Sequence, residues 1–164
     1  MPTSLAAQFL PLERPNSVRK QLPDLSSGWL LDVYVFDSEN EQLGYLFQDD
    51  TICKLRHISP VLLYGDKSIG KTALAITLAV RWSQLLHERP VCIMTGAKFC
   101  SLYAEAVEID DISSFRSKLR SAKLLVIDDC EPLSQKPAAQ QELAATVDTF
   151  AELQRPIILT SSCL

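Results

Sequence analysis

The sequence predicts an α/β fold in which a parallel sheet is covered by helices on both faces. Three observations carry this. Short apolar runs without alternation recur at 61–64, 91–94, 124–128 and 156–160, the pattern of strands buried on both faces. Segments with helical periodicity separate them. A glycine-containing loop follows the first run and leads straight into a helix. Strands that alternate with helices pair in parallel through crossovers, which places helices on both sides of the sheet.

The chain has 164 residues, with 16 Lys+Arg against 20 Asp+Glu and a net charge of −4, the size of one domain. At this length about 70% of the unfolded surface can be buried, and 47% apolar residues supply a core. No apolar run approaches the ~20 residues of a membrane span. The first residues lack the basic and then apolar regions of a secretion signal. A cytoplasmic location and no membrane partner are therefore expected. Mild acidity argues against a broad basic surface for nucleic acid and leaves a local contact open. The cysteines, Cys53, Cys92, Cys100, Cys130 and Cys163, are odd in number and form no C-x-x-C. They read as reduced, mostly buried thiols. His57 and His87 lack metal-ligand spacing and read as surface or helix-end residues.

Taken in order, residues 1–28 hold four of the nine prolines and close on Ser26, Ser27 and Gly28. This composition predicts an N-terminal arm or linker, followed by one domain over 29–164. Residues 30–36 are apolar and aromatic and read as a short strand. From Asn40, the spacing of Leu43, Leu46 and Phe47 predicts a helix that frays near Asp49 and Asp50. The run VLLY at 61–64 is the first core strand. A helix over 72–87 carries Leu74, Leu78, Trp82 and Leu85 along one face and ends before Pro90. A strand at 91–94, helices over 97–107 and 112–121, a strand at 124–128, a helix over 138–153 and a strand at 156–160 complete the pattern.

The loop Gly65-Asp66-Lys67-Ser68-Ile69-Gly70-Lys71-Thr72 fits G-x-x-x-x-G-K-[ST]. Gly65 and Gly70 let the backbone turn and approach a phosphate. The loop amides form an anion nest, and the helix N-terminus adds its positive end. Lys71 suits the β- and γ-phosphates of ATP or ADP, and the Thr72 hydroxyl suits Mg²⁺. Downstream, Leu124-Leu125-Val126-Ile127 ends in Asp128 and Asp129. In P-loop NTPases the first such carboxylate binds Mg²⁺ through water, assigned to Asp128. Asp129 then stands where a second carboxylate orients the attacking water. The last strand ends Thr160-Ser161-Ser162, whose polar tip, Ser162 in particular, is a candidate contact for the γ-phosphate or the water.

Together, GDKSIGKT, the helix from Ser114-Phe115-Arg116 to Arg120-Ser121, the LLVIDD strand and the ending Ile158-Leu159-Thr160-Ser161 resemble the AAA+ ATPase domain of the DnaA family. The resemblance covers 61–162. Upstream, Tyr34 to Glu41 resembles the family's adenine-side segment, with Asn40 on its asparagine and Asp37 replacing its glycine. The resemblance implies a three-layer αβα sandwich with strand order 5-1-4-3-2 and an ATP-dependent switch in DNA replication initiation. It also implies assembly with itself or other AAA+ replication proteins.

Departures are equally specific. Ser162 and Cys163 replace the family's Asp-Arg pair, Ala138 stands where an arginine is usual beside Lys136, and Ala104 replaces a larger DNA-facing residue. The family's fifth strand, arginine finger, helical lid and DNA-reading domain would follow Leu164. The expected unit is thus a nucleotide-binding core incomplete at its C-terminus and lacking the lid, with weak or absent hydrolysis of its own. The first core strand, left at a sheet edge, is expected to be covered by residues 30–36, the arm or another chain.

Arg116, Lys118, Arg120 and Lys123 form a basic cluster, with Arg116, Arg120 and Lys123 on one helix face, open to DNA phosphates or simply solvated. An alternative to the ATP switch is a non-hydrolysing protein that regulates a replication AAA+ protein or helicase loader. A small-molecule kinase is disfavoured, because no arginine-rich lid motif is present.

Overall fold

The computed structural model describes residues 8–9 and 41–162. The elements are β1 (Gln8–Phe9), α1 (Glu41–Leu46), α2 (Asp49–Cys53), β2 (Val61–Tyr64), α3 (Lys71–Leu86), β3 (Val91–Thr95), α4 (Gly96–Glu108), α5 (Ile112–Ser121), β4 (Leu124–Asp128), α6 (Pro137–Glu152) and β5 (Ile157–Ser161). Four strands pair in parallel in the order β3-β4-β5-β2, and β1 adds antiparallel outside β3. The strand and helix positions follow the periodicity closely.

Side chains alternate across the central strand β4, and both sets are fully buried. Leu124 and Val126 face α2 and α3, in a core with Ile52, Leu63, Leu74, Leu78, Trp82 and Ile158. Leu125 and Ile127 face α4, α5 and α6, in a core with Met94, Phe99, Phe115, Phe150 and Ile157. Within that second layer Phe99 and Phe115 meet edge to face, centroids 5.5 Å apart. Period-2 alternation with two buried faces is what makes a three-layer sandwich, so the predicted layering holds.

Local chemistry sets the helix ends. Thr95 Oγ1 accepts from Lys98 N at 3.1 Å to cap α4, and Asp111 Oδ1 accepts from Ser114 N at 3.2 Å to cap α5. Hydrogen bonds from the side chain and backbone of Ser114, and from the Ser113 hydroxyl, hold the Asp111 carboxyl below its ordinary pKa. Pro137 occupies the first turn of α6, where its missing N–H costs nothing. His87 ends α3 in a left-handed conformation, φ 53°, a helix-end role as the sequence suggested.

Several expectations change. Asp49 and Asp50 do not mark fraying; they open α2, where acidic side chains meet the positive end of a helix. Leu85 is exposed, and α3 buries Ala75, Ile76 and Ala79 instead, because the helix is flanked by α2 as well as by the sheet. Lys123 lies beyond the end of α5 and donates its backbone N–H to Pro90 O at 2.7 Å, so it shares no helix face with Arg116. Arg116 is committed to Glu142 on α6, with Nε–Oε1 2.8 Å and Nη2–Oε2 2.7 Å. It joins two helices and is not a spare cation for DNA. Cys92 and Cys100 are buried free thiols, whereas Cys53 is exposed. Burial pushes the Cys92 thiol up to about 12.

The edge position of β2 is as expected, but its burial is one-sided. Val61 and Leu63 are buried while Leu62 and Tyr64 are 47% and 53% exposed, because α4, α5 and α6 pack over β3, β4 and β5. The described part of the arm, β1, pairs with the opposite edge. The proposed strand at 30–36 lies outside the described residues.

The Arg116–Glu142 pair generates a prediction. The Glu142 side chain is only 5% exposed, so its removal from Arg116 strands a buried carboxylate. Arg116→Ala should lower unfolding free energy by about 1–2 kcal/mol, discounted because the arginine is half exposed, as read from urea denaturation midpoints.

Candidate functional site

The site lies at the C-terminal end of the parallel strands, where β2, β4 and β5 converge. The phosphate loop leaves β2 at Gly65, φ 150°, turns through Ser68, φ 66°, and enters α3 from Gly70, φ 95°. A Cβ at Gly65 would stand 2.7 Å from Ile69 Cδ1, and the left-handed φ at Gly70 disfavours any other residue. No side chain caps α3, in contrast to α4 and α5. Its first amides therefore face the concavity of the loop. Lys71 Nζ donates to Gly65 O at 2.8 Å and to Asp66 O at 2.6 Å, folded back over the loop it serves.

The crossover from β2 to β4 brings two distant residues together. Thr72 Oγ1 lies 2.9 Å and 3.0 Å from the two carboxylate oxygens of Asp128. Asp128 is buried, and its Oδ1 also accepts from Thr160 Oγ1 on β5 at 2.6 Å. Thr160 Oγ1 in turn accepts from Asp129 N at 2.9 Å. A hydroxyl and a carboxylate side by side form an all-oxygen donor set that fits Mg²⁺, which keeps waters and takes its other ligands from phosphates.

Asp129 sits in a left-handed conformation, φ 56°, which turns the chain sharply out of β4. Gly96 packs against that turn: a Cβ there would meet Asp129 O at 2.4 Å and Cys130 Cα at 3.1 Å. The Asp129 carboxyl is exposed on the surface but hydrogen-bonded to Glu131. That hydrogen bond, then burial and the charges of Glu131 and Asp128, push Asp129 up to about 6, with Lys67 opposing. Glu131 is held down to about 2 by the same hydrogen bond and by Ser162. Both the backbone N–H and the hydroxyl of Ser162 donate to Glu131 Oε1. Glu131 Oε2 is buried and has no hydrogen-bond partner among the described residues.

The structure thus joins Gly65, Asp66, Lys67, Ser68, Ile69, Gly70, Lys71 and Thr72 in one loop and brings Asp128 to Thr72. It brings Asp129 and Ser162 together through Glu131. Asn40 and Cys163 lie outside the described residues. Lys136 and Arg120 are exposed and Arg116 is engaged elsewhere. Sequence reasoning missed Glu131, a single acid in a turn, and Gly96. Thr160 it noticed only as a polar strand tip.

A phosphate loop on an edge strand, an acidic strand one place removed and a strand inserted between them define a P-loop ATPase fold of the AAA+ type. The model of the bacterial DnaA ATPase domain matches residues 25–163, and the chain belongs to that family. Relatives include the chromosomal replication initiator protein DnaA of Caulobacter sp. strain K31, 32% identical over 105 residues, which are 64% of this chain and 22% of that protein. The DnaA of Geotalea uraniireducens is 23% identical over 160 residues, 93% of this chain and 36% of that protein. The chain spans between about a fifth and a third of these relatives' length. Among solved structures, AMPPCP-bound DnaA from Aquifex aeolicus superposes with a TM-score of 0.72 at 25% identity, over 85% of this chain and 43% of that one. A DnaC helicase loader shares the fold alone, TM-score 0.64 at 15% identity, over 84% and 78% of the two chains. Among the described residues no helix is long and apolar enough to cross a membrane.

Gly96→Ala should push the Asp129 turn away from its place. It should destabilise the protein by about 1–3 kcal/mol, seen as a lowered denaturation midpoint, since backbone atoms and not a flexible side chain must yield.

Proposed function

We propose that this chain is an ATP-binding AAA+ module acting in DNA replication initiation or its regulation, and that it holds ATP or ADP with Mg²⁺. The observation that carries this is the meeting of Thr72 and Asp128, 56 residues apart, beside an uncapped helix and a loop of G-x-x-x-x-G-K-T form. The loop amides and the N-terminus of α3 would bind the phosphates. Lys71 would exchange its two carbonyl acceptors for the β- and γ-phosphates. Thr72 would leave Asp128 to ligate Mg²⁺ directly, with Asp128 binding its waters. Bound Mg²⁺ would neutralise charge on the phosphates. Asp129 and Ser162 stand at the γ-phosphate end, as base and as polar contact.

A carboxyl raised to about 6 carries its proton below that pH and is free to act as a base above it. The nucleotide state would be read out by partners, which are other AAA+ replication proteins or further copies of the chain. The alternative role, a non-hydrolysing regulator, draws on the same observation. A DNA contact of this chain would use exposed Lys136 and Arg120. A DnaA neighbour has been solved with AMPPCP and single-stranded DNA.

Titration with a fluorescent ATP analogue tests the reading. Lys71→Ala should weaken binding by about tenfold or more, and Asp128→Asn should remove most of the Mg²⁺ dependence. Equal binding by wild type and Lys71→Ala rejects the proposal.

A further inference from the structure

Thr160 lies near the tip of β5, is 2% exposed and belongs to neither motif of the site. Its Oγ1 donates to Asp128 Oδ1 at 2.6 Å and accepts from Asp129 N at 2.9 Å. Its backbone oxygen accepts from Cys130 N at 2.9 Å. On the other side it pairs in register with Leu63 of β2, just before the phosphate loop. The register between β4 and β5 ends at Ile127 and Leu159, so Thr160 carries the link between the two strand tips.

The polarity of these bonds is forced. An amide N–H can only donate, so the hydroxyl accepts from Asp129 and has its one proton for Asp128. The β-branched side chain is stiff at χ1 and buried, which fixes the direction of that proton. A neutral hydroxyl held in this way steers a carboxylate without competing with it for a cation. Thr72 is the other hydroxyl on Asp128, and in the ATP reading it turns to the metal.

We propose that Thr160 is a positioning residue for the Mg²⁺ site, whose hydroxyl keeps hold of Asp128 by Oδ1 when Thr72 turns to the metal. The carboxylate then meets the waters of the metal already aimed. The inference rests on the ATP reading above and deepens it. Thr160 itself takes no place among the metal ligands. Partners of this kind orient the groups that bind a metal, and their loss costs about tenfold or more in metal affinity.

The test uses the full chain, a fluorescent ATP analogue and Mg²⁺ as the titrant. Analogue affinity is measured in EDTA, and Mg²⁺ is then titrated into the protein–analogue complex. Thr160→Val keeps the shape and removes the hydroxyl. Its analogue affinity in EDTA should stay within about threefold of wild type while its Mg²⁺ midpoint rises about tenfold or more. Thr160→Ser restores the hydroxyl and should hold the midpoint within about threefold of wild type. In an Asp128→Asn background, Thr160→Val should change the Mg²⁺ response by less than about twofold, since the group it aims is gone. If the valine variant does not fold, Thr160→Cys replaces it. Its thiol is a weaker donor and should raise the midpoint by about threefold or more.

An unchanged Mg²⁺ midpoint in Thr160→Val, a serine variant as weak as the valine variant, or equal losses of affinity in EDTA and in Mg²⁺ overturns the proposal while nucleotide binding stands. Failure of the wild type to bind the analogue, or undiminished binding by Lys71→Ala, overturns the ATP reading and this inference with it.

Discussion

The contact on which the rest of this structure depends is the grip of two threonine hydroxyls on the buried Asp128 carboxylate. Thr72 comes from the first turn of α3 and Thr160 from β5, so three separate crossovers must close correctly for the contact to exist. A buried carboxylate without donors would be costly. With two hydroxyls at 2.6–2.9 Å it is satisfied, and it fixes how far the phosphate loop lies from the acidic strand. Lys71 likewise donates to two carbonyls of its own loop, Gly65 O and Asp66 O. The site is held in shape by its own polar groups, all of which suit a phosphate–metal ligand.

Sheet order explains why the groups meet there. In open α/β sheets, ligands sit beyond the carboxyl ends of the strands. With β5 inserted between β2 and β4, Thr160 stands between the loop and the acidic strand and can reach Asp128 and the Asp129 backbone together. Gly96 belongs to the same logic. The helix α4 begins directly at the end of β3, so its first residue abuts the turn at Asp129, and only a residue without Cβ allows that approach.

The second polar unit, Asp129 with Glu131 and Ser162, lies outside this grip and is built differently. Its carboxyls are less buried, and their closeness separates their proton affinities, Asp129 up to about 6 and Glu131 down to about 2. Two carboxyl groups side by side titrate apart because like charges at close range oppose one another.

Much of the fold was legible along the chain, because buried strands write continuous apolar runs and the phosphate loop writes two glycines, a lysine and a threonine at set spacing. Local chemistry alone determined the strands from Val61 to Ser161, the glycines at positive φ and the identity of Lys71, Thr72 and Asp128 as a set. Pairing across the chain was decided by tertiary structure. Arg116 read as a solvated cation or a contact for DNA phosphates, yet α6 brings Glu142 against it. Leu62 and Tyr64 looked buried, yet the helices cover the other strands. Glu131 carried no signal, since a carboxylate in a turn is ordinary until a crossover sets Ser162 on one of its oxygens and Asp129 beside it. Periodicity and motif spacing record what a residue does within its own element. Which partner a side chain meets depends on elements that only the folded sheet brings together.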